Sequence, residues 1–413
     1  MSVDRDAVGN TRSCVIIVEN LPVPFDRRVW QEALALRDAG WLVSVICPRT
    51  AQYPESFVEI DGIEIFRHSL PTEARGKLGF LLEYSAALFH QLRLLLKIRM
   101  RRGFDVIQAC NPPDLIFLVA APFKLFGKKF VFDHHDVCPE LFEAKFGGRG
   151  LLNRLLLLAE RSSFRSADLV ISANETYRQL AIERGGKAPG DVVTVYSVPD
   201  RSRIRRVPQD EALRAGARVV LGYIGIIGDQ DGVDHLIRCM HRLSKVEGRE
   251  DIRAVIVGDG PALASVRELA RQLEVEDRIT FTGYLRGDAL LAAMSSFDIG
   301  VIPDPVNEYN DKISMNKVFE YSALGIPPVS YALTETRRLL GEAGTYAEDA
   351  TSDGLARACA TLIDDDALRA RKGLEAKALA DARFDWSREA QRFVGAYERL
   401  APKPWRVDVL NNA

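Results

Sequence analysis

Short β-branched runs, each followed by a helical stretch, constrain this chain more than any other feature. Cys14 to Glu19, CVIIVE, reads as a buried strand, and Asn20 to Arg28 as the loop after it. Val29 to Ala39 has helical spacing closed by Gly40, and Trp41 to Pro48 returns as a strand. Strand, helix and strand in that order begin a parallel sheet. The pattern continues through a pair of short strands around the turn Asp61-Gly62 and a long helix over Lys77 to Arg102. Further strands follow at Asp105 to Ala109, Lys129 to Asp133, Asp168 to Ser172 and Val192 to Tyr196. After a polar, proline-marked stretch from Arg201 to Arg218 it starts again, with strands at Val219 to Ile224, Arg253 to Val257 and Ile279 to Thr282. A chain of 413 residues is too long for one compact core. The expected division is 1–200, a linker 201–218, a second α/β domain 219–384, and a terminal helix 385–413 that crosses back onto the first domain.

Composition excludes several functions. Hydrophobic content of 47% and a formal net charge of −2 describe an ordinary soluble globular protein, with no excess of positive charge for nucleic acid. Cys14, Cys47, Cys110, Cys138, Cys239 and Cys359 are scattered without a CxxC pair, which predicts reduced buried thiols and a cytoplasmic setting. The opening MSVDRDAVGNTRS lacks the apolar centre of a signal peptide. No apolar run approaches the roughly 20 residues of a spanning helix.

In open α/β sheets, ligands bind beyond the carboxyl ends of the strands, where helix starts offer free N–H groups and a positive dipole end. The stretch NEYNDKISMNKVFEYSALGIPPVSYALTE, Asn307 to Glu335, places Ser314, Asn316, Lys317 and Glu320 at such a helix start, with Gly325 and Pro327 as its stop. Glu320 can accept both hydroxyls of a vicinal diol, and Lys317 can face a phosphate. The plain alternative is an amphipathic helix with a solvated Lys/Glu pair. Three glycine-containing turns precede it: Gly225 to Gly232 with Gly228, Gly258-Asp259-Gly260, and Gly283-Tyr284-Leu285. There a backbone can approach a ligand with no Cβ between them, so one shared ligand edge is expected.

The first half offers two more candidates. Asp26, Arg27 and Arg28 enter a helix at a strand's carboxyl end, either gripping phosphate or acceptor or standing solvated, and no GxGxxG accompanies them. Asp133-His134-His135-Asp136 lies just past another strand. Zinc requires a third or fourth N or S ligand at a recognisable spacing and harder metals require more oxygen, so a non-metal polar site fits better. Basic residues also flank apolar stretches here. Arg93, Lys97, Arg99, Arg101 and Arg102 end the long helix, and Lys124, Lys128 and Lys129 follow Leu115 to Phe126. Basic charge beside apolar surface is what an anionic lipid interface attracts, and a core helix with a basic end reads the same way.

Together the opening ENLPVPFDRRVWQEALALRDAGWLVSVICP, the central FDHHDVCPE, GYIG with GDQDGVDHLI, GDGP and NKVFEYSALGIPPVS resemble the retaining nucleotide-sugar glycosyltransferases of family 4. The similarity is greatest to members that build bacterial surface polysaccharides. That resemblance implies the GT-B fold, two Rossmann-like domains facing a cleft, with donor nucleotide in the second and acceptor mainly in the first. It implies that Glu320 holds the ribose, that the Gly283-Tyr284-Leu285 backbone meets the base, and that Ser314, Asn316 and Lys317 lie near the diphosphate and sugar. His135, with Asp136 beside it, would serve the donor sugar near the reacting carbon. Two departures stand out. Lys312, separated from Glu320 by seven residues, stands where the family often has a second glutamate, and Ile226, Ile227 and Asp231 stand where it usually has Arg and Lys. Lys317 with Arg27 or Arg28 is then the expected source of diphosphate neutralisation. The expected activity is transfer of a sugar, with UDP as the first candidate nucleotide, to a hydroxyl of a polyprenyl-diphosphate-linked glycan. Configuration would be retained, with no metal or other cofactor, at the cytoplasmic face of the membrane. The alternative is a non-catalytic nucleotide-sugar binder or partner subunit.

Overall fold

The computed structural model describes residues 11–69, 76–146 and 150–401, with 76–84 and 145–146 described as backbone only. The helix expected over Lys77 to Arg102 runs from Gly76 to Arg101, and the side chains of Lys77, Leu78, Phe80, Leu81 and Leu82 lie outside the described residues. The molecule divides into two compact units, Met1–Tyr196 with Arg388–Ala413, and Ser197–Ser387.

The first unit holds eight strands: β1 (Ser13–Ile17), β2 (Leu42–Pro48), β3 (Phe57–Ile60), β4 (Ile63–His68), β5 (Val106–Cys110), β6 (Lys129–His134), β7 (Leu169–Ser172) and β8 (Val192–Thr194). They lie in the order β3-β4-β2-β1-β5-β6-β7-β8. All neighbours are parallel except β3, which folds back on β4 through Asp61 and Gly62, both at positive φ as a two-residue hairpin turn requires. Every residue of β1 is buried, because helices cover both faces of a parallel sheet. One face is filled by Val15, Ile17, Phe104, Phe130, Phe132 and Phe164. The terminal helix, Trp386–Leu400, is part of this core from Arg388 onward. Tyr397 is fully buried, edge-to-face with Trp41 at 5.4 Å, and the Tyr196 amide donates to Glu389 Oε2 at 3.0 Å.

The second unit holds β9 (Val219–Ile224), β10 (Ile252–Val257), β11 (Ile279–Gly283), β12 (Ile299–Ile302), β13 (Pro328–Ser330) and β14 (Thr345–Tyr346), in the order β11-β10-β9-β12-β13-β14 and parallel throughout. The stretch read as a linker is strapped onto this unit. Arg206 donates to the carbonyls of Leu324 at 2.8 Å and Ser295 at 3.0 Å, and the Asp210 amide donates to Ser296 Oγ at 2.8 Å.

Both sheets are doubly wound. The chain builds outward from β1 and from β9 in one direction, then resumes on the other side of each, at β5 and at β12. The crevices at those two reversals are where the geometry of such sheets puts ligands.

The expected basic cluster of the first unit is largely neutralised by neighbours that the local sequence does not reveal. Lys124 and Lys129 pair with Asp168, Lys128 with Asp105, and Arg101 and Arg102 with Glu64. All six cysteines are unpaired, and all but Cys138 are fully buried. Among the described residues no helix is long and apolar enough to cross a membrane.

Candidate active site

In the first unit the site is built on a buried charged cluster. The helix Arg27–Asp38 starts at Asp26, whose Oδ1 accepts from the Val29 amide at 3.0 Å, and this cap aims Arg28 inward. Arg28 donates through Nη1 to Val195 O at 2.7 Å and through Nη2 to Asp133 Oδ1 at 3.0 Å, and its Nε lies 3.1 Å from Glu32 Oε1. Gln108, on β5, donates to both Glu32 Oε2 at 2.7 Å and Asp133 Oδ2 at 2.9 Å. Tyr397 closes the cluster from the terminal helix with a hydrogen bond to Gln108 Oε1.

His135 follows β6 directly over this cluster. Its backbone amide donates to Asn111 Oδ1 at 2.7 Å, which fixes the loop against the end of β5. Its Nε2 lies 2.8 Å from Asp133 Oδ2, an acceptor, and 3.0 Å from Arg28 Nε, a donor. One ring nitrogen cannot donate to the first and accept from the second together. Asp133 decides the matter: burial alone would raise its pKa, but Arg28 and His135 outweigh that and hold it well below the usual carboxylate range. Nε2 is therefore the donor to Asp133, which orients the ring. Burial, and then the charge on Asp133, push Glu32 well above its ordinary value.

The Cys110, Asp133 and His135 ligand atoms lie within 4.8 Å of one another, which is metal-like spacing. Burial and Asp133 push the Cys110 thiol up, and the Arg28 guanidinium already holds the cationic place beside Asp133. Arg27 is exposed at the start of its helix, and the Asp136 backbone is tied to the Asn111 side chain on both its amide and its carbonyl. Arg28, expected to reach a phosphate, is instead committed to Asp133, Val195 and Glu32.

In the second unit Lys317 is the centre. It lies in the first turn of the helix Asn316–Leu324, buried, with Nζ 2.7 Å from Asp304 Oδ2 and 4.9 Å from the centre of the Tyr223 ring. Its Cε passes close to Gly225, so the lysine lies at the reversal between β9 and β12. Asn316 is exposed, and Met315, at the cap position, supplies no side-chain acceptor to the helix start. Ser314 Oγ is buried without a hydrogen-bond partner. Glu320 is half-buried one turn beyond Lys317, and Gly325, at φ 63°, ends the helix as expected.

The glycine turns form one continuous edge, for a reason other than the expected one. The loops are stitched in series: the Gly225 amide donates to Val257 O at 3.1 Å, Ile227 to Asp259 O at 3.0 Å, and Gly258 to Gly283 O at 3.0 Å. A Cβ on Gly258, at φ 150°, would sit 1.9 Å from Gly225 O. The close approach permitted by that glycine is loop to loop, not loop to ligand. Gly228 donates its amide to Asp231 Oδ2 at 2.9 Å. Tyr284 is exposed under the Arg286 guanidinium, 5.1 Å from its ring centre, and Leu285 is half-buried.

Sequence reasoning missed Asp304, Tyr223, Glu32, Gln108 and Tyr397. Only Glu32 left a local trace, four residues after Arg28 on one helix. Two further concave surfaces, of about 490 and 590 Å³, lie elsewhere: one between β8 and the terminal helix, the other around Phe297, Gly325 and Pro327 at the amino ends of β12 and β13.

Residues 26–199 match the family described as a glycosyl transferase 4-like domain, and residues 218–365 the family described as glycosyl transferases group 1. The chain is 26% identical over 337 residues to the 2-deoxystreptamine glucosyltransferase of Streptomyces kanamyceticus, across 78% of this chain and 83% of that protein. Sucrose-phosphate synthase from Thermosynechococcus elongatus superposes with a TM-score of 0.76 at 17% identity, over 94% of this chain and 99% of that one. Anabaena HepE in complex with UDP and glucose does so with a TM-score of 0.70 at 17% identity, over 94% and 100%.

Proposed function

We propose that this chain, which belongs to the glycosyltransferases of the GT-B fold, moves a hexosyl or N-acetylhexosaminyl group from a nucleoside-diphosphate sugar, UDP first, to a hydroxyl acceptor. The acceptor is a lipid-linked glycan of surface polysaccharide synthesis, met at the inner face of the membrane. The observation that carries the donor half is Lys317 at the strand-order reversal, beside three loops tied into one edge and a helix start with no side-chain cap. A leaving diphosphate gains charge as the sugar departs, and fixed N–H groups and a cation at a sheet's carboxyl edge stabilise that charge as it develops. In this reading Glu320 holds the ribose diol, Tyr284 and Leu285 border the base, and Ser314 and Asn316 bound the phosphates. His135, oriented by Asp133, offers its ring to the sugar. Attack on the face that the leaving group vacates, with the leaving phosphate as base, retains configuration and involves no metal.

A thermal-shift screen of UDP-, GDP- and ADP-sugars tests donor binding, since ligand that binds only the folded state raises the melting temperature. Glu320→Gln should weaken the preferred donor roughly ten- to hundredfold, the equivalent of about 1–3 kcal/mol for a charged hydrogen-bonding partner. Unchanged affinity removes the ribose role. Donor turnover in EDTA tests metal independence, and NMR of the product anomer tests retention. One observation favours the non-catalytic reading: Asp231, where the resembled family usually carries a base, is turned onto the Gly228 amide. Donor affinity without hydrolysis or transfer would establish that reading instead.

A further inference from the structure

The helix Leu151–Ser166 exposes a face that a core helix does not require. Leu151, Leu155 and Leu158 are 76%, 51% and 60% exposed. Arg154, Arg161 and Arg165 are exposed as well, and their spacings of three, four and seven put them on the same stripe. The opposite face, with Ala159, Glu160, Ser163 and Phe164, is buried. Ser163 Oγ donates to Asp114 O at 2.6 Å, and Lys124 Nζ reaches Ser166 O at 2.6 Å, so the helix is anchored to the segment that carries Leu125 and Phe126. Those two side chains are 86% and 70% exposed.

Charge decides what this face fits. Among the described residues none of the three arginines forms an ion pair, and the one carboxylate of the helix, Glu160, is on the buried side. The lysines nearby are neutralised by Asp168 and Asp105. A stripe of leucines with unpaired guanidiniums beside it, and no exposed acid, suits an apolar phase bounded by phosphates. Long basic side chains reach outward to headgroups while leucines enter the acyl boundary.

We propose that this face docks on an anionic lipid bilayer. The inference rests on the transferase reading only for its purpose, which is to bring the site to a bilayer-anchored acceptor. Vesicle binding is measured without donor, so each can fail alone.

The test is co-sedimentation of the full chain with phosphatidylglycerol-rich vesicles and with pure phosphatidylcholine vesicles. Two variants accompany it, Arg154→Gln/Arg161→Gln/Arg165→Gln and Leu151→Gln/Leu155→Gln/Leu158→Gln, with folding checked by thermal melts. The parent should bind the anionic vesicles and not the neutral ones. A basic residue near such a surface strengthens binding roughly fivefold, so removing three should give roughly a hundredfold loss in the arginine variant. The leucine variant should also release, and should do so at high salt. Donor hydrolysis should be equal in all three proteins; absence of turnover in all three with vesicle binding intact would fault the transferase reading and leave this one standing. No anionic-vesicle binding by the parent overturns the proposal, as does equal binding by parent and variants. A concentration-dependent dimer that the leucine variant abolishes, without vesicle binding, would assign the face to a second copy.

Discussion

Replacing Lys317 by methionine separates the two things this lysine does. The Lys317 and Asp304 side chains are 7% and 2% exposed and 2.7 Å apart, so the ammonium cannot be removed without leaving a carboxylate buried and unpaired. Breaking one partner of such a pair costs about 3–5 kcal/mol. The unit that carries it spans 197 to 387, which is 387 − 197 + 1 = 191 residues. For a domain of that size each kcal/mol moves the melting temperature by about 2–4 °C, so Lys317→Met should lower it by roughly 6–20 °C. Combining it with Asp304→Leu removes both charges and should restore most of the loss, because a well-packed apolar pair often equals a buried ion pair in stability. Calorimetry reads the fold, and titration with UDP followed by a turnover assay reads the ligand. If the ammonium also faces the diphosphate, the double variant recovers its melting temperature and not its donor affinity or rate. A single variant that melts within about 2 °C of the parent would refute the structural argument. A double variant with full donor affinity and turnover would refute the phosphate role.

Three further outcomes follow from buried groups. Burial lifts Glu160 to about 8, so between pH 4.5 and 8 the folded chain holds a proton that the unfolded chain has lost, and stability falls as pH rises across that window. Asp114, lifted to about 7 mainly by burial, and His134, depressed to about 3 by burial, overlap its lower part, and Glu32, also raised by burial, is common to parent and variant, so the difference between their curves from pH 7 to 8 reads Glu160. Urea midpoints should show the parent losing up to about 1.4 kcal/mol more there than Glu160→Gln; parallel curves would contradict the assignment. Gly258→Ala puts a Cβ against Gly225 O and should cost roughly 3 kcal/mol or more, whereas Gly283→Ala, at φ 73° with open space around it, should cost about 1 kcal/mol. Equal melting temperatures for the two would discount the loop contact. Tyr397→Phe leaves the Gln108 carbonyl buried without its donor and should cost about 1–3 kcal/mol in urea unfolding; no change would show that this hydrogen bond adds nothing to the hold of the terminal helix.

The parts of the molecule legible in the sequence are those whose cause is local. Asp26 before a helical run, Asp61-Gly62 between two short strands, and Gly325 after the helix Asn316–Leu324 each act within a turn of themselves, and all three stand where expected. The two parallel sheets follow from the same local alternation of apolar runs and helices. What stayed hidden is pairing across the sheet. Asp304 is thirteen residues from Lys317, Gln108 is 289 from Tyr397, and Asp168 is about forty from the lysines it neutralises, so no window of spacing joins them. The winding of each sheet brings them together instead.

That distinction also decides how far charge can be read from a sequence. Lys124, Lys128 and Lys129 look like a basic patch, yet each has a carboxylate partner supplied by a neighbouring strand or its flank. Arg154, Arg161 and Arg165 look like the scattered charge of a surface helix, yet they keep theirs, because the one acid on that helix is turned inward onto Arg184. Counting residues ranks the first set above the second. Solvation reverses the order, since a paired ammonium has already given up much of the field that a phosphate surface would attract, and an unpaired guanidinium beside exposed leucine has not. The same reasoning governs the candidate site. Arg28 is spent on Asp133, while the helix start at Asn316 has no side-chain cap, so within the second unit the stabilisation of a leaving diphosphate falls to backbone N–H groups and to the share of the Lys317 charge that Asp304 leaves available.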